Sequence, residues 1–348
     1  MKMNPLGRTG LTVSELCLGT MTFGTQTSEA EGHAQIDRAL AAGINIVDTA
    51  EMYPVNPVAK ETVGRTEEII GTWNAANPAR RGDYILATKH SGAGLAAVRD
   101  GAPITAESIP ATVEGSLRRL QTDYIDLYQF HWPNRGSYHF RRNWDQEAAT
   151  RDPRRIADNM IDCLDALEAE RRRGTIRAFG LCNETAWGLT RWIALAEGRA
   201  APRPATIQND YSLLQRQFDT DLAEVSLHEE AGLLASAPLS AGLLTGKYQG
   251  GAVPQGSRRA RIPDLNNRVT PGSFAAVDDY MDIAFKHDLD PVHMALAWVA
   301  SRPFVTSVVF GAHTGEQLDR VLAGLDTRLG EEVLRDIDLA HGDHPQPY

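Results

Sequence analysis

The chain has little with which to build a disulfide framework or a thiolate metal site. Its three cysteines, Cys17, Cys163 and Cys182, are widely spaced and form no CxxC pair. Such a set fits a reducing compartment. No uninterrupted apolar run reaches the roughly 18 residues that a membrane span requires. Residues 1–7 carry no apolar segment of a secretion signal, so a cytoplasmic protein without a membrane partner is expected. Basic residues are outnumbered, 35 Lys and Arg against 45 Asp and Glu, which disfavours nucleic acid as a partner. That balance leaves room for a local basic pocket able to hold a phosphate. Neither HExxH nor a tight His/Cys spacing is present, so no metal is expected, at His131 and His139 included. No internal repeat or low-complexity stretch divides the chain, and residues 1–348 read as a single domain.

Short apolar runs alternate with stretches of helical periodicity. Strands are predicted at 16–19, 44–47, 84–88, 125–130, 176–181, 206–208, 233–236 and 307–310, with helices at 29–42, 106–120, 155–173 and 189–197 between them. Several of these strands are rich in Ile, Val and Leu with little alternation, as in a parallel sheet covered by helices. The pairs Ala42-Gly43 and Arg173-Gly174 close two of the helices. Eight such units in an α/β order predict a (β/α)8 TIM barrel. Two long polar stretches, 134–153 after the fourth strand and 246–275 after the seventh, would both emerge on the catalytic face. They are read as loops over the active site.

Three successive strands deliver titratable groups to their C-terminal ends. The segment Ile44-Asn45-Ile46-Val47-Asp48-Thr49-Ala50-Glu51-Met52-Tyr53 supplies an acid and a phenol. Tyr84-Ile85-Leu86-Ala87-Thr88-Lys89 supplies an amine, and Gln129-Phe130-His131-Trp132 an imidazole. A free phenol titrates near pH 10, and a neighbouring ammonium favours its ionised form. Lys89 is expected to lower the Tyr53 pKa, with Asp48 holding Lys89 by an ion pair. His131, neutral, would hydrogen-bond a substrate carbonyl. Singly, each residue reads as packing or a surface charge; their joint placement on one barrel rim argues for proton delivery to a carbonyl. The run Gly92-Ala93-Gly94-Leu95-Ala96-Ala97 mimics a dinucleotide fingerprint but lacks the βαβ context, with Pro103 close behind.

These residues, together with Leu18-Gly19-Thr20-Met21-Thr22-Phe23-Gly24, Leu117-Arg118-Arg119-Leu120-Gln121-Thr122-Asp123-Tyr124-Ile125-Asp126-Leu127 and Leu243-Leu244-Thr245-Gly246-Lys247-Tyr248, make the chain resemble the aldo-keto reductases, their bacterial Tas-like branch above all. The resemblance runs from about residue 6 to 325. It implies a TIM barrel, NADPH as cofactor with NADH as the alternative, and reduction of a small-molecule aldehyde or ketone. It assigns Tyr53 as general acid, Asp48 and Lys89 as its partners, and His131 as the carbonyl-orienting group. It further implies a cofactor set of Thr20, Asp48, Cys182, Asn183, Gln208, Ser236, Pro238, Leu239, Gly242, Lys247, Arg258, Gly311, His313 and Gln317. Asn183 and Gln208 suit a carboxamide, which needs donors and acceptors, while Lys247 and Arg258 suit phosphates.

The sequence departs from the family pattern in places. Cys182 stands for a Ser, Ser236 for the aromatic that stacks on the nicotinamide, and Arg320 and Val321 for an acid and an Asn near the adenine. Phe23, Met52, Trp132 and the 134–153 loop are expected to wall the substrate. The loss of the stacking aromatic keeps a second reading open, a nicotinamide-binding regulatory subunit with little turnover. A third reading, a Schiff-base lyase on Lys89, requires that amine to be neutral.

Overall fold

The computed structural model describes residues 1–142, 151–199 and 201–348. It opens with two short strands, β1 (Met3–Pro5) and β2 (Thr12–Ser14), paired antiparallel. The strands that follow are β3 (Leu16–Gly19), β4 (Ile46–Asp48), β5 (Ile85–His90), β6 (Ile125–Phe130), β7 (Ile176–Cys182), β8 (Pro204–Asp210), β9 (Gly232–Ser236) and β10 (Val305–Phe310). They pair in parallel, each with the next, and β10 returns to β3 to close an eight-stranded barrel. The helices are α1 (Glu29–Ala41), α2 (Arg65–Ala76), α3 (Ser108–Leu120), α4 (Pro153–Arg173), α5 (Ala186–Glu197), α6 (Asp221–Glu229), α7 (Arg258–Arg261), α8 (Pro271–Lys286), α9 (Pro291–Ser301), α10 (Gly315–Ala323) and α11 (Glu331–Asp343). All eight predicted barrel strands are present, and the fold is the (β/α)8 barrel expected from their order.

Successive residues of a strand face opposite sides, and the barrel sorts its side chains accordingly. Leu18, Val47, Leu86, Tyr128, Phe179, Leu181, Ile207 and Val308 point outward and pack with the helices into one large core. Cys17, Ile46, Ala87, Leu127, Ala178, Leu234 and Val309 fill the interior, joined from below by Leu6 and Val13 of the β1–β2 hairpin. That hairpin has no counterpart in the sequence reading. Its strands are three residues each and one contains Pro5, too short for an alternating pattern to register.

Local chemistry fixes the helix ends. The side chains of Ser28, Thr185 and Thr314 accept hydrogen bonds from first-turn backbone N–H groups of α1, α5 and α10, contacts worth about 1 kcal/mol each. Gly174 ends α4 at φ 78°, a conformation that costs other residues energy. A Cβ on Gly71 of α2 would overlap the Arg119 carbonyl oxygen, so that glycine permits the close α2–α3 approach.

The two long loops differ from their sequence outlines. Residues 143–150 of the 134–153 loop lie outside the described residues, and α4 takes over at Pro153. Within 246–275, Arg258–Arg261 forms a helical turn, and residues 271–275 already belong to α8. The α8 start is held by a reciprocal capping box between Thr270 and Ser273, a polar pattern easily mistaken for loop.

Candidate active site

The inward positions at the C-terminal ends of the strands are polar. Asp48 ends β4, Lys89 lies on β5, Gln129 on β6, Cys182 ends β7 and Gln208 lies on β8. Lys89 is fully buried and Asp48 is 2% exposed. Lys89 Nζ donates to Asp48 Oδ2 at 2.5 Å and to the Thr49 carbonyl at 2.7 Å. The other Asp48 oxygen accepts from Gln129 Nε2 at 3.1 Å and Gln208 Nε2 at 3.0 Å. Burying two charges is costly, and the arrangement holds because every partner is hydrogen-bonded. Cys182 Sγ donates weakly to Gln129 Oε1 at 3.4 Å, and burial pushes its thiol well above the ordinary range.

Tyr53, half-buried in the loop after β4, stands over this pair. Its ring centroid is 5.1 Å from Lys89 Nζ and 5.7 Å from the His131 ring, met edge-on at 76°. His131 follows β6 directly, and its carbonyl accepts from Asn183 Nδ2 at 2.8 Å. Its Nδ1 is buried without a hydrogen-bond partner. Burial, reinforced by the Lys89 cation, drives the His131 pKa far below its ordinary value, which favours the neutral imidazole.

The sequence expectation for Tyr53 needs correction. Burial raises the phenol above its ordinary pKa and outweighs the downward pull of Lys89, with Asp48 adding to the rise. The phenol is therefore held protonated, ready to donate. Lys89 is also shifted: burial pulls it down, but Asp48, Tyr53 and Cys182 together leave its pKa raised. A lysine whose charged form is favoured by a carboxylate at 2.5 Å does not suit imine formation, which argues against the Schiff-base reading.

The remaining expected residues are distributed around the mouth. Thr20 Oγ1 donates to the Asp48 carbonyl at 2.9 Å. Asn183 sits at φ 52°, and its backbone N–H donates to the Gln208 carbonyl. Beyond Ser236 the chain makes a tight turn through Ala237, Pro238, Leu239 and Ser240, with positive φ at Ala237, Ser240, Ala241 and Gly242. A Cβ on Gly242 would lie 3.0 Å from Lys247 Cε, so the glycine lets the lysine fold across the turn. Lys247, Arg258 and Arg261 all act on His313, whose pKa falls to about 4 through burial and then their charges. Gln317 Oε1 accepts from the His313 backbone N–H at 2.9 Å, and Gly311 packs beside the Gly19 carbonyl. Arg258 Nε is buried without a partner. Clustered cations and an orphaned guanidinium N–H fit the phosphates of a nicotinamide nucleotide, and the Asn183 and Gln208 amides fit its carboxamide. No aromatic side chain takes the place of Ser236 within its own strand.

Arg320 makes a two-pronged pair with Asp290 at 2.8 and 3.0 Å, and Val321 is buried in the outer core. Among the expected substrate residues, Trp132 and Met52 are partly exposed. Trp132 lies 5.0 Å from the His131 ring and 6.2 Å from Phe140. Phe23 is not brought to the mouth: it is fully buried against Gly32 of α1. Gly92, from the fingerprint mimic, simply makes room for Trp132.

Gln129 escaped the sequence reading. The available signal was the strand period: Gln129 lies two residues before His131 and two after inward-facing Leu127, on the same face.

The buried histidines also set an acid limit on stability. Burial, then Arg99, takes His90 down to about 3, and burial takes His139 to about 4, with His131 also far below normal. In the unfolded chain these groups titrate near 6.5. Their neutral folded forms stabilise the protein fully above that value, and this is lost as pH falls toward their folded pKa values. The expected loss is about 1.4 kcal/mol per pH unit for each such histidine. Urea unfolding at pH 7, 6 and 5 should show a falling midpoint, whereas a midpoint flat across that range contradicts the assignment.

Comparison with known proteins bears directly on this site. The model of the Aldo/keto reductase family matches residues 15–341. "Protein tas" of Escherichia coli (strain K12) is 43% identical over 353 residues, covering 100% of this chain and 99% of the relative. "Uncharacterized oxidoreductase YrpG" of Bacillus subtilis (strain 168) is 33% identical, covering 96% of this chain and 94% of the relative. A "Probable voltage-gated potassium channel subunit beta" of Oryza sativa subsp. japonica is 29% identical over 94% of this chain and 92% of its own length.

Proposed function

Because the chain belongs to the aldo/keto reductase family, a family of oxidoreductases, we propose that it reduces an aldehyde or ketone to an alcohol, with NADPH as the hydride source and Tyr53 as the proton donor. The observation that carries this reading is the position of the Tyr53 ring between neutral His131 and the buried Lys89–Asp48 pair. Bound at this mouth, a reduced nicotinamide supplies a hydride from its C4 to the carbonyl carbon.

The chain's own residues supply the rest. His131, with an unpartnered ring nitrogen, orients the carbonyl oxygen by a hydrogen bond. Tyr53, kept protonated by burial, gives its proton to the developing alkoxide. The phenolate so formed faces the Lys89 ammonium, a preorganised charge that needs no solvent rearrangement. Asp48 fixes that ammonium, while Gln129 and Gln208 fix Asp48. Asn183, Gln208, Lys247 and Arg258 hold the nucleotide, and Trp132 and Met52 wall the substrate. Residues 134–142 of the 134–153 loop and the 246–270 stretch form the rim over the site.

The channel-subunit relative and the Ser at position 236 favour a second reading, nucleotide binding with little turnover. A fluorescence titration with NADPH and NADH, followed by an aldehyde panel, separates the two. The reductase reading expects tighter NADPH binding and aldehyde-dependent loss of the 340 nm signal. Binding without turnover on any aldehyde favours the regulatory reading, and no binding of either nucleotide removes both.

A further inference from the structure

Directly above the site lies a group of arginines that proton transfer leaves unused. Asp210 is two residues beyond Gln208 on β8, on the same inward face and about 7 Å further out. Its carboxylate pairs with Arg268 and, at 3.4 Å, with Arg141 Nη1. Arg268 is only 5% exposed. Arg258 lies close enough for its charge to act on both other guanidinium groups, and it forms no ion pair among the described residues. Three buried or half-buried guanidinium groups thus meet two carboxylates, Asp210 in direct contact and Asp264 acting on Arg141. The Nε atoms of Arg141, Arg258 and Arg268 are all buried without a partner. One oxygen of Asp210 is also unpartnered, but the net charge of the group stays positive. Uncompensated buried cations are costly unless an anion joins them.

The position of Arg141 says which anion. It lies on the loop that carries His131 and Trp132, next to Phe140, whose ring faces Trp132. Those aromatics border the space in front of Tyr53 and His131. Arg258 links this group to a second one, in which Lys247, Arg258 and Arg261 surround His313; the phosphates of the nucleotide are assigned to that second group, which leaves Arg141 and Arg268 on the substrate side. Tyr348 borders the arginine group through a hydrogen bond with Arg268; its hydroxyl is also 3.2 Å from Ser240 Oγ, and the Pro347 carbonyl accepts from Thr270 Oγ1 at 2.6 Å.

Resting on the reductase reading of this mouth, we propose that Arg141, with Arg268 beside it, binds a carboxylate on the carbonyl substrate. The preferred substrates are then short oxo acids, whose carboxylate docks on the arginines while the carbonyl reaches Tyr53 and His131. A planar guanidinium suits a carboxylate in a two-pronged fit.

The test compares 4-oxobutanoate with butanal in the native chain, Arg141→Met and Arg141→Lys, each checked for an unchanged melting profile. The native protein is expected to prefer the acid. In Arg141→Met the acid-to-neutral ratio of kcat/KM should fall about 10- to 100-fold, the loss of one charge-assisted contact, mainly through KM. Arg141→Lys should recover part of it. An equal preference in the native chain, or a ratio unmoved by Arg141→Met, overturns the proposal. So does a rise in the NADPH dissociation constant with no change in ratio, which would assign the arginines to the cofactor phosphate. A second arm needs no turnover: tryptophan fluorescence of the NADP-saturated protein titrated with pentanoate and with pentanamide. Saturable binding of pentanoate alone, lost in Arg141→Met, supports the site. No binding of pentanoate overturns it, whether or not either aldehyde is reduced, so failure of the subsite and failure of the reductase reading remain distinguishable.

Discussion

Tyr53→Phe is expected to lower kcat for aldehyde reduction by about 10²- to 10⁴-fold, the range that a positioned general acid contributes. The reason lies in what the substitution leaves alone. The phenyl ring keeps its edge contact with His131 and its place above Lys89. The Tyr53 hydroxyl meets the buried network only at Lys89, and the bonds that tie Lys89, Asp48, Gln129 and Gln208 to one another are made without it. Nucleotide affinity should therefore stay within about three-fold of the native value, and the loss should fall on kcat, as for a contact made only in the transition state. Steady-state kinetics beside a nucleotide titration checks both halves. Near-native kcat in Tyr53→Phe would assign the proton to another donor, and a parallel collapse of nucleotide affinity would mean that the ring itself holds the cofactor.

Lys89→Met is expected to have the largest effect on the fold. It leaves Asp48, 2% exposed, as a buried carboxylate with only two amide donors. Breaking a buried pair from one side typically costs about 3–5 kcal/mol, because the remaining charge has no counter-charge. Reduction should be lost as well, since the phenolate left by proton transfer has no cation beside it. The double variant Lys89→Met/Asp48→Asn removes both charges and should regain a large part of the stability while staying inactive. Chemical denaturation of the two variants separates these effects. A single variant that loses less than about 1 kcal/mol would contradict the view of the pair as a tightly coupled buried unit.

The barrel was legible because each strand is an apolar run bounded by a turn signal, and because three such runs end in Asp48, Lys89 and His131. What escaped was set by tertiary contact. Gln129 sat inside an apparently apolar strand, where only the inward period marked it. The β1–β2 hairpin was too short to show a pattern. The net pKa shift of Tyr53 depends on how much burial opposes Lys89, a quantity that residue identity does not contain. Arg141, Asp210 and Arg268 come from three segments far apart in the chain, and only closure of the barrel gathers them over one mouth. Phe23 failed in the opposite sense: its motif placed it near the site, while its packing against Gly32 put it in the core.

The most direct test of the central claim is the fate of a labelled hydride. The purified protein would be mixed with NADPH carrying deuterium at both nicotinamide C4 positions and with 4-oxobutanoate or butanal, and the alcohol analysed by mass spectrometry. Carbonyl reduction as described here predicts one deuterium on the carbinol carbon of the product, in the native chain and not in Tyr53→Phe over the same interval. Nucleotide binding with no deuterated alcohol from any carbonyl tested would contradict it.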